Sequence, residues 1–328
     1  MTVTDSAEKQ GSDSSGPSES LFTVLVAFGA NLLIAVAKTV AAVLTGSASM
    51  VAEAAHSWAD AGNEVFLLVA DRRSARASDD RHPMGYGREA YVWSMFAAFG
   101  LFSAGAIVSI WHGITELLHP EPGADFLVAY IVLAIAFGLE GVSFLQAVRQ
   151  TRRTARSLQR RALWHVLNTS NPTLRAVFFE DAAALIGLMI AAIGIALHQL
   201  TGSPVPDAIG SLLVGALLGV VAVVLIDRNR RFLVGEQVPD ALKAEVLADL
   251  LARPDIDRVT YLHLEFVGPS KMFLVAAVDM TGNYEERDLA VRLRRVGHEL
   301  EMNDNIEEAV LTLAMADEPD LQLSTEAR

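Results

Sequence analysis

Apolar residues are concentrated in six long stretches, each long enough to cross a membrane as one helix. A hydrocarbon layer of about 30 Å takes about 20 helical residues. A helix of a soluble protein is seldom so long or so uniformly apolar. The sequence therefore predicts six transmembrane helices, at residues 21–45, 48–70, 91–117, 126–148, 173–200 and 206–226.

The apolar pattern changes after about residue 238, where the apolar stretches become shorter. Residues 241–252 have helical spacing, and residues 258–267 and 272–280 alternate like strands. An amphipathic helix follows at 285–302 and a third strand at 307–315. This order, αββαβ, predicts a small α+β domain of the ferredoxin-like kind. The predicted fold class is therefore an α-helical membrane protein of six transmembrane helices followed by a small α+β domain.

The domain boundaries follow from the same patterns. A polar stretch rich in Ser, Gly, Asp and Glu is expected to form a disordered N-terminal tail. The last residues are expected to form a frayed C-terminal tail. The predicted units are the N-terminal tail at 1–19, the membrane domain at 20–236, the α+β domain at 237–316 and the C-terminal tail at 317–328.

Arginine residues mark one side of the predicted membrane domain. The loop after the second stretch contains five, the segment from the end of the fourth stretch to Arg175 at the start of the fifth contains seven, and the segment after the sixth contains three. The connections on the opposite side contain no Lys or Arg. Because cytoplasmic loops carry an excess of basic residues, we expect a multi-pass protein of the cell membrane with both termini in the cytoplasm.

The composition narrows the chemistry further. The chain has 39 Asp and Glu residues against 26 Lys and Arg, a net charge of −13, and no cysteine. An acidic protein is a poor partner for nucleic acid, which binds basic surfaces. The absence of cysteine excludes thiolate ligands and cysteine nucleophiles. A metal site in this chain must therefore use His, Asp and Glu.

Ionisable residues interrupt the second and fifth apolar stretches. His56 and Asp60 are four residues apart and share one helix face, and Glu180 and Asp181 are adjacent. A charge in hydrocarbon costs about 2.5–3.5 kcal/mol by insertion scales, so such residues face the bundle interior. Zn²⁺ accepts an imidazole with carboxylates, and Mn²⁺, Fe²⁺ and Co²⁺ tolerate the same set. We therefore predict a divalent-metal site at His56, Asp60, Asp181 and Glu180.

A plainer interpretation of these residues stays open. The His56 and Asp60 pair could be an internal hydrogen bond that locks two helices together. Glu180 could face the cytoplasmic vestibule while Asp181 faces inward, because adjacent helical residues diverge by about 100°. Asp60 also lies near the middle of its stretch, whereas Asp181 lies early in its own, so convergence requires a tilt or a long helix.

Three further polar residues are expected to join helices. Lys38 in the first stretch needs a counter-charge, which Glu53 or Glu140 can supply as a helix-locking pair. Asn31 and Ser143 are candidates for hydrogen bonds between helices.

Several segments together resemble the cation diffusion facilitator family. The similar segments are 31–63, which includes Lys38, Glu53 and the sequence HSWAD, and 82–88, 181–187, 207–211 and 233–236. They follow the family's order from the first helix to the exit from the sixth, and the resemblance covers about residues 22–315. It implies a homodimeric exporter that moves divalent metal, most often zinc, out of the cytoplasm in exchange for protons.

The resemblance also implies a ligand set of two residues four apart on the second helix and two on the fifth. By position these are His56, Asp60 and Asp181, and the fourth position is Val177, which cannot coordinate a metal. Glu180 is the candidate substitute. The chain is thus similar to a divergent branch of the family that lacks the usual His or Asp partner on the fifth helix.

The expected function is transport of Zn²⁺, with Mn²⁺, Fe²⁺ and Co²⁺ as other candidates, in exchange for protons by alternating access. We expect no enzymatic activity and no resident cofactor. The alternative is a metal sensor or structural homologue that no longer transports, favoured by Val177. An intramembrane metal-dependent hydrolase is less favoured, because the sequence has no HExxH motif and no serine or cysteine nucleophile with a partner histidine.

Overall fold

The fold of the membrane domain is a bundle of six long helices. The structure is a computed structural model that describes residues 17–120, 126–157 and 162–322, so most of the predicted N-terminal tail lies outside the described residues. The helices are α1 (Pro17–Thr45), α2 (Ala48–Ser74), α3 (Glu89–Leu118), α4 (Leu127–Ser157), the short α5 (Ala162–Asn168), α6 (Pro172–Thr201) and α7 (Val205–Val234). A π-helical turn at Ala98–Phe102 lies inside α3. Each predicted apolar stretch corresponds to one long helix.

The described residues of five helices, α1, α3, α4, α6 and α7, are long and apolar enough to cross a membrane. The helix α2 is also long, with 27 residues, but it carries several ionisable side chains. It packs against α1, α3, α6 and α7, and Glu53, His56 and Asn63 on it are buried. The polar side chains of α2 are therefore shielded by the other helices, which explains why the most polar helix lies at the centre of the bundle.

The outer faces of the other helices carry large exposed apolar side chains. Val43 on α1, Phe99 and Trp111 on α3 and Leu200 on α6 are each more than two-thirds exposed. In an aqueous protein such a surface would be costly, whereas lipid solvates it well. The bundle therefore keeps its ionisable side chains inside and presents apolar side chains outward, as a protein that spans a bilayer requires.

The start of α2 is fixed by a carboxylate from α7. After Gly46, which has a positive φ of 65°, Ser47 caps the helix by accepting a hydrogen bond from the N–H of Met50 at 3.2 Å. The buried carboxylate of Asp207 accepts three hydrogen bonds, from the Ser47 hydroxyl at 3.0 Å and from the N–H groups of Ala48 at 2.8 Å and Ser49 at 3.3 Å. An acid at a helix N-terminus satisfies otherwise unpaired N–H groups and complements the helix dipole.

Asp207→Ala is expected to lower the free energy of unfolding by about 2–3 kcal/mol, because each buried donor left without an acceptor costs about 1–3 kcal/mol. The measurement is denaturant unfolding of the purified protein in detergent micelles. Asp71→Ala is the matched control, since Asp71 is exposed at the other end of α2. Equal stability of the two variants would show that Asp207 does not hold the start of α2.

The α+β domain has the predicted element order. It contains α8 (Asp240–Leu251), β1 (Ile256–Gly268), β2 (Lys271–Met280), α9 (Glu286–Glu301) and β3 (Ile306–Leu313). The strands β1 and β2 form an antiparallel hairpin, and β3 pairs with β2 in parallel after the crossover through α9. Alternating residues of the sheet, such as Leu264, Leu274 and Val278, pack against Val296 and Leu300 of α9 in one core.

The two domains share apolar and polar contacts. Tyr91 of α3 stacks on Phe232 of α7, with ring centroids 5.0 Å apart, and Phe232 in turn contacts Phe266 of β1 at 5.7 Å. The guanidinium of Arg88, just before α3, forms an ion pair with Glu265 of β1. These contacts join strand β1 of the α+β domain to the Arg-rich side of the bundle.

The predicted C-terminal tail is described as far as residue 322, and this part lies along β1. The N–H of Leu321 donates to the carbonyl of Val259 at 2.8 Å. The hydroxyl of Thr260 donates to the Glu318 carboxylate at 2.8 Å. Residues 317–322 thus add contacts to the outer edge of the sheet.

Candidate metal centre

His56 is buried in the middle of the bundle, on the face of α2 that also carries Asp60. Its side chain is 1 % exposed, and its Nδ1 lies 3.3 Å from Asp60 Oδ1. Within the described part of the chain, neither ring nitrogen of His56 nor Oδ1 of Asp60 has a hydrogen-bond partner. The two side chains are therefore in contact without an aligned hydrogen bond between them. Because buried polar atoms are nearly always paired, these three atoms are available to a ligand.

Glu180 brings α6 to the same place. Its side chain is buried and accepts a hydrogen bond from the Asn63 amide of α2 at 2.6 Å, and its carboxylate faces that of Asp60. The depth mismatch that the sequence suggested between α2 and α6 therefore does not separate these two carboxylates. Two facing carboxylates repel each other unless a proton or a cation lies between them.

Asp181 points in a different direction from Glu180. It is more exposed, and it accepts a hydrogen bond from the hydroxyl of Ser143 on α4 at 2.9 Å. The interpretation in which Glu180 faces the cytoplasmic vestibule while Asp181 faces inward does not match these positions, because Glu180 contacts α2 and Asp181 contacts α4. Asp181 still borders the space next to Asp60, but from the side of α4.

A small cavity lies between α1, α2, α4 and α6. Its volume of about 30 Å³ is close to that of one water molecule. His56 is not among the described residues that line this cavity. Among the described residues, no three His, Asp or Glu side chains are close enough together to hold a metal ion. Side chains must therefore rotate before a metal ion can be bound here. The cavity is lined by Asn31, Ile34, Ser57, Asp60, Glu140, Glu180, Asp181 and Ala184.

Lys38 forms the predicted helix-locking pair, and it does so with both candidate partners. Its Nζ lies 2.9 Å from Glu53 Oε2 and 3.0 Å from Glu140 Oε1. Lys38 and Glu53 are completely buried. Gly187 of α6 leaves the space that Glu53 occupies, because a Cβ at that position would overlap Glu53 Oε1. The triad ties α1, α2 and α4 together next to the cavity.

The other two predicted cross-helix bonds are also present. Asn31 of α1 donates to Glu64 of α2 at 2.5 Å, and Ser143 of α4 donates to Asp181 of α6 as described above. Both bonds end on a carboxylate, so they hold acidic side chains in place near the cavity.

Two residues at the site were not predicted as site residues. Asn63 lies seven residues after His56 and three after Asp60, so the same helical spacing that paired these two residues could have included it. Glu140 was considered only as a partner of Lys38, although an acid in the middle of the fourth apolar stretch is itself a signal of function. Val177, the fourth ligand position by resemblance, packs against an apolar cluster formed largely by α3 and α7.

Long apolar helices around a cluster of buried ionisable side chains define a multi-pass membrane protein. A family model described as the cation efflux transmembrane domain matches residues 24–234. The chain belongs to this family, the cation diffusion facilitators, as the sequence predicted.

Relatives in animals, plants and bacteria agree with this assignment. The chain is 38 % identical to the proton-coupled zinc antiporter SLC30A9, mitochondrial, of Xenopus laevis, over 83 % of this chain and 48 % of that protein. It is 34 % identical to metal tolerance protein C4 of Arabidopsis thaliana, over 76 % and 54 %. It is 27 % identical to the zinc transporter ZitB of Pectobacterium atrosepticum, over 88 % and 84 %. The chain spans about half the length of the first two of these relatives.

Proposed function

We propose that this protein transports a divalent cation, with Zn²⁺ as the first candidate, out of the cytoplasm in exchange for protons. The observation that carries the proposal is the buried imidazole of His56, without a hydrogen-bond partner among the described residues, next to the facing carboxylates of Asp60 and Glu180. The names of the frog and bacterial relatives support zinc as the cargo, and the frog protein's name supports coupling to protons.

The proposed mechanism is alternating access around this site. The cation enters from the Arg-rich side and is bound by His56, Asp60, Glu180 and Asp181, and it leaves when the site opens to the opposite side. Metal binding requires these ligands to be free of protons. A cation and protons therefore compete for the same nitrogen and oxygen atoms. Binding of the cation releases protons, and binding of protons releases the cation.

The proposed placement is a cell membrane with both termini and the α+β domain in the cytoplasm. The support is the Arg bias of the loops. We further propose the domain division 20–236 and 237–316 and a homodimeric assembly. The frog relative is named as mitochondrial, so fractionation of cells expressing a tagged chain is the measurement that decides the membrane.

The direct test is flux in proteoliposomes. We expect the purified protein to move Zn²⁺ against an imposed pH gradient, with protons moving in the opposite direction. A zinc indicator and a pH dye in the same vesicles measure the two fluxes, and Mn²⁺, Fe²⁺, Co²⁺ and Ni²⁺ are compared in parallel. Zinc movement that collapses the pH gradient supports exchange, whereas zinc movement without proton movement contradicts it.

A second candidate function is a metal sensor. The observation in its favour is Val177, which gives α6 an apolar side chain where the resemblance expects a ligand. A sensor binds zinc in equilibrium measurements and moves none across the vesicle membrane. The flux experiment, paired with a zinc-binding measurement on the same preparation, separates the two functions.

A further inference from the structure

Of the four proposed ligands, Asp181 is the one whose carboxylate is held away from the other three. Zinc sites closed by protein side chains use four ligands in a tetrahedral set. Val177 is apolar and packed, and Asp181 is held by Ser143 at the α4 side of the cavity. A ligand for a cation beside Asp60 and Glu180 is therefore needed from another helix.

Glu140 of α4 is the candidate for this ligand. It lines the cavity together with Asp60 and Glu180, and its side chain is 13 % exposed. Its Oε1 is 3.0 Å from Lys38 Nζ, while its Oε2 is buried and has no hydrogen-bond partner among the residues that the structure describes. One oxygen thus positions the carboxylate and the other is free.

We propose that Glu140 is a further ligand of the transported divalent cation, with Oε2 coordinating the ion while Oε1 stays bound to Lys38. The proposal rests on the proposed function and names a further side chain for the same site. It does not depend on acidic residues alone, because His56 is 99 % buried beside Asp60 and neither of its ring nitrogens has a hydrogen-bond partner among the described residues. A hydrogen bond that orients a metal-binding carboxylate is a usual feature of metal sites.

This assignment bears on the choice of cation. With Glu140 in the place of Asp181, which Ser143 holds, the set of His56, Asp60, Glu180 and Glu140 gives one nitrogen and three oxygen atoms. Such a set suits zinc and also harder cations such as Mn²⁺. Loss of one oxygen should then weaken Mn²⁺ binding at least as strongly as Zn²⁺ binding.

The test compares Glu140→Gln with Glu53→Gln. Glutamine at 140 keeps an oxygen for the Lys38 ammonium and turns its NH₂ group, which cannot coordinate, to the cavity. Glu53 binds the same ammonium from α2 but is not among the described residues that line the cavity. Both variants remove one negative charge next to Lys38, so an effect they share is electrostatic, and the difference between them reports coordination.

Equilibrium zinc binding to the full-length protein in nanodiscs is the readout. We expect Glu140→Gln to raise the zinc Kd at least about tenfold more than Glu53→Gln does. Equal effects, or no effect of Glu140→Gln, would overturn the ligand role. If Glu140→Gln does not fold, Glu140→Asp is the second variant, because it keeps the negative charge and moves the carboxylate away from the cavity by one methylene group. A zinc Kd above the wild-type value supports coordination by Glu140, and a wild-type Kd contradicts it.

Flux in proteoliposomes keeps this inference separate from the proposed function. Wild-type protein that binds zinc but moves none contradicts transport and leaves the Glu140 measurement valid as a binding result. Wild-type flux with zinc affinity insensitive to Glu140→Gln contradicts the inference alone.

Discussion

Asp60→Asn is expected to abolish zinc uptake into proteoliposomes, lowering the initial rate at least about 100-fold. Replacing a residue that only orients a metal ligand costs about 10–100-fold, and Asp60 is proposed to contact the ion itself. Asparagine has nearly the same size and keeps the packing of α2. It removes the carboxylate charge for which protons and the metal cation compete. His56→Ala is expected to act in the same direction, because it removes the only nitrogen ligand in the proposed set.

The control for Asp60→Asn is Asp71→Asn on the same helix. Asp71 is exposed at the end of α2, eleven residues after Asp60, so the change of acid to amide is the same and only the position differs. We expect this control to transport zinc at the wild-type rate. Wild-type uptake by Asp60→Asn, in protein that is folded by size-exclusion chromatography, would remove the proposed site.

Much of the fold was predictable because it follows from one-dimensional patterns. Six apolar stretches gave six helices, since each must satisfy its own backbone hydrogen bonds in lipid. The ion-pair partners of Lys38 were predictable for a different reason. A buried ammonium requires a carboxylate, and the apolar stretches contain few carboxylates. The structure adds that Lys38 uses Glu53 and Glu140 together.

The direction of Glu180 and Asp181 was not predictable from the sequence. Adjacent residues point about 100° apart on a helix, so a rotation of α6 about its axis exchanges their roles. That rotation is set by the packing of neighbours such as Val177 and Phe179 against an apolar cluster of α3 and α7. Such contacts between distant helices leave no periodic signal in a single sequence.

Lys38→Met is expected to lower the free energy of unfolding by about 3–5 kcal/mol, the usual cost of breaking a buried ion pair by removing one partner. Methionine fills a similar volume, so the loss comes from Glu53 and Glu140, whose carboxylates are left without the ammonium in the bundle interior. Denaturant unfolding in detergent micelles measures the change. Lys243→Met is the control, because Lys243 lies on α8 outside the membrane domain.

The double variant Lys38→Met/Glu53→Gln tests the cause of this loss. If the two uncompensated carboxylates destabilise Lys38→Met, neutralising Glu53, the more deeply buried of the two, should recover part of the lost stability. The remaining carboxylate, Glu140, borders the cavity and is better solvated. A double variant that is less stable than Lys38→Met would show instead that Glu53 stabilises the bundle through contacts other than Lys38. The direction of the second change thus distinguishes a charge effect from a packing effect in the same protein.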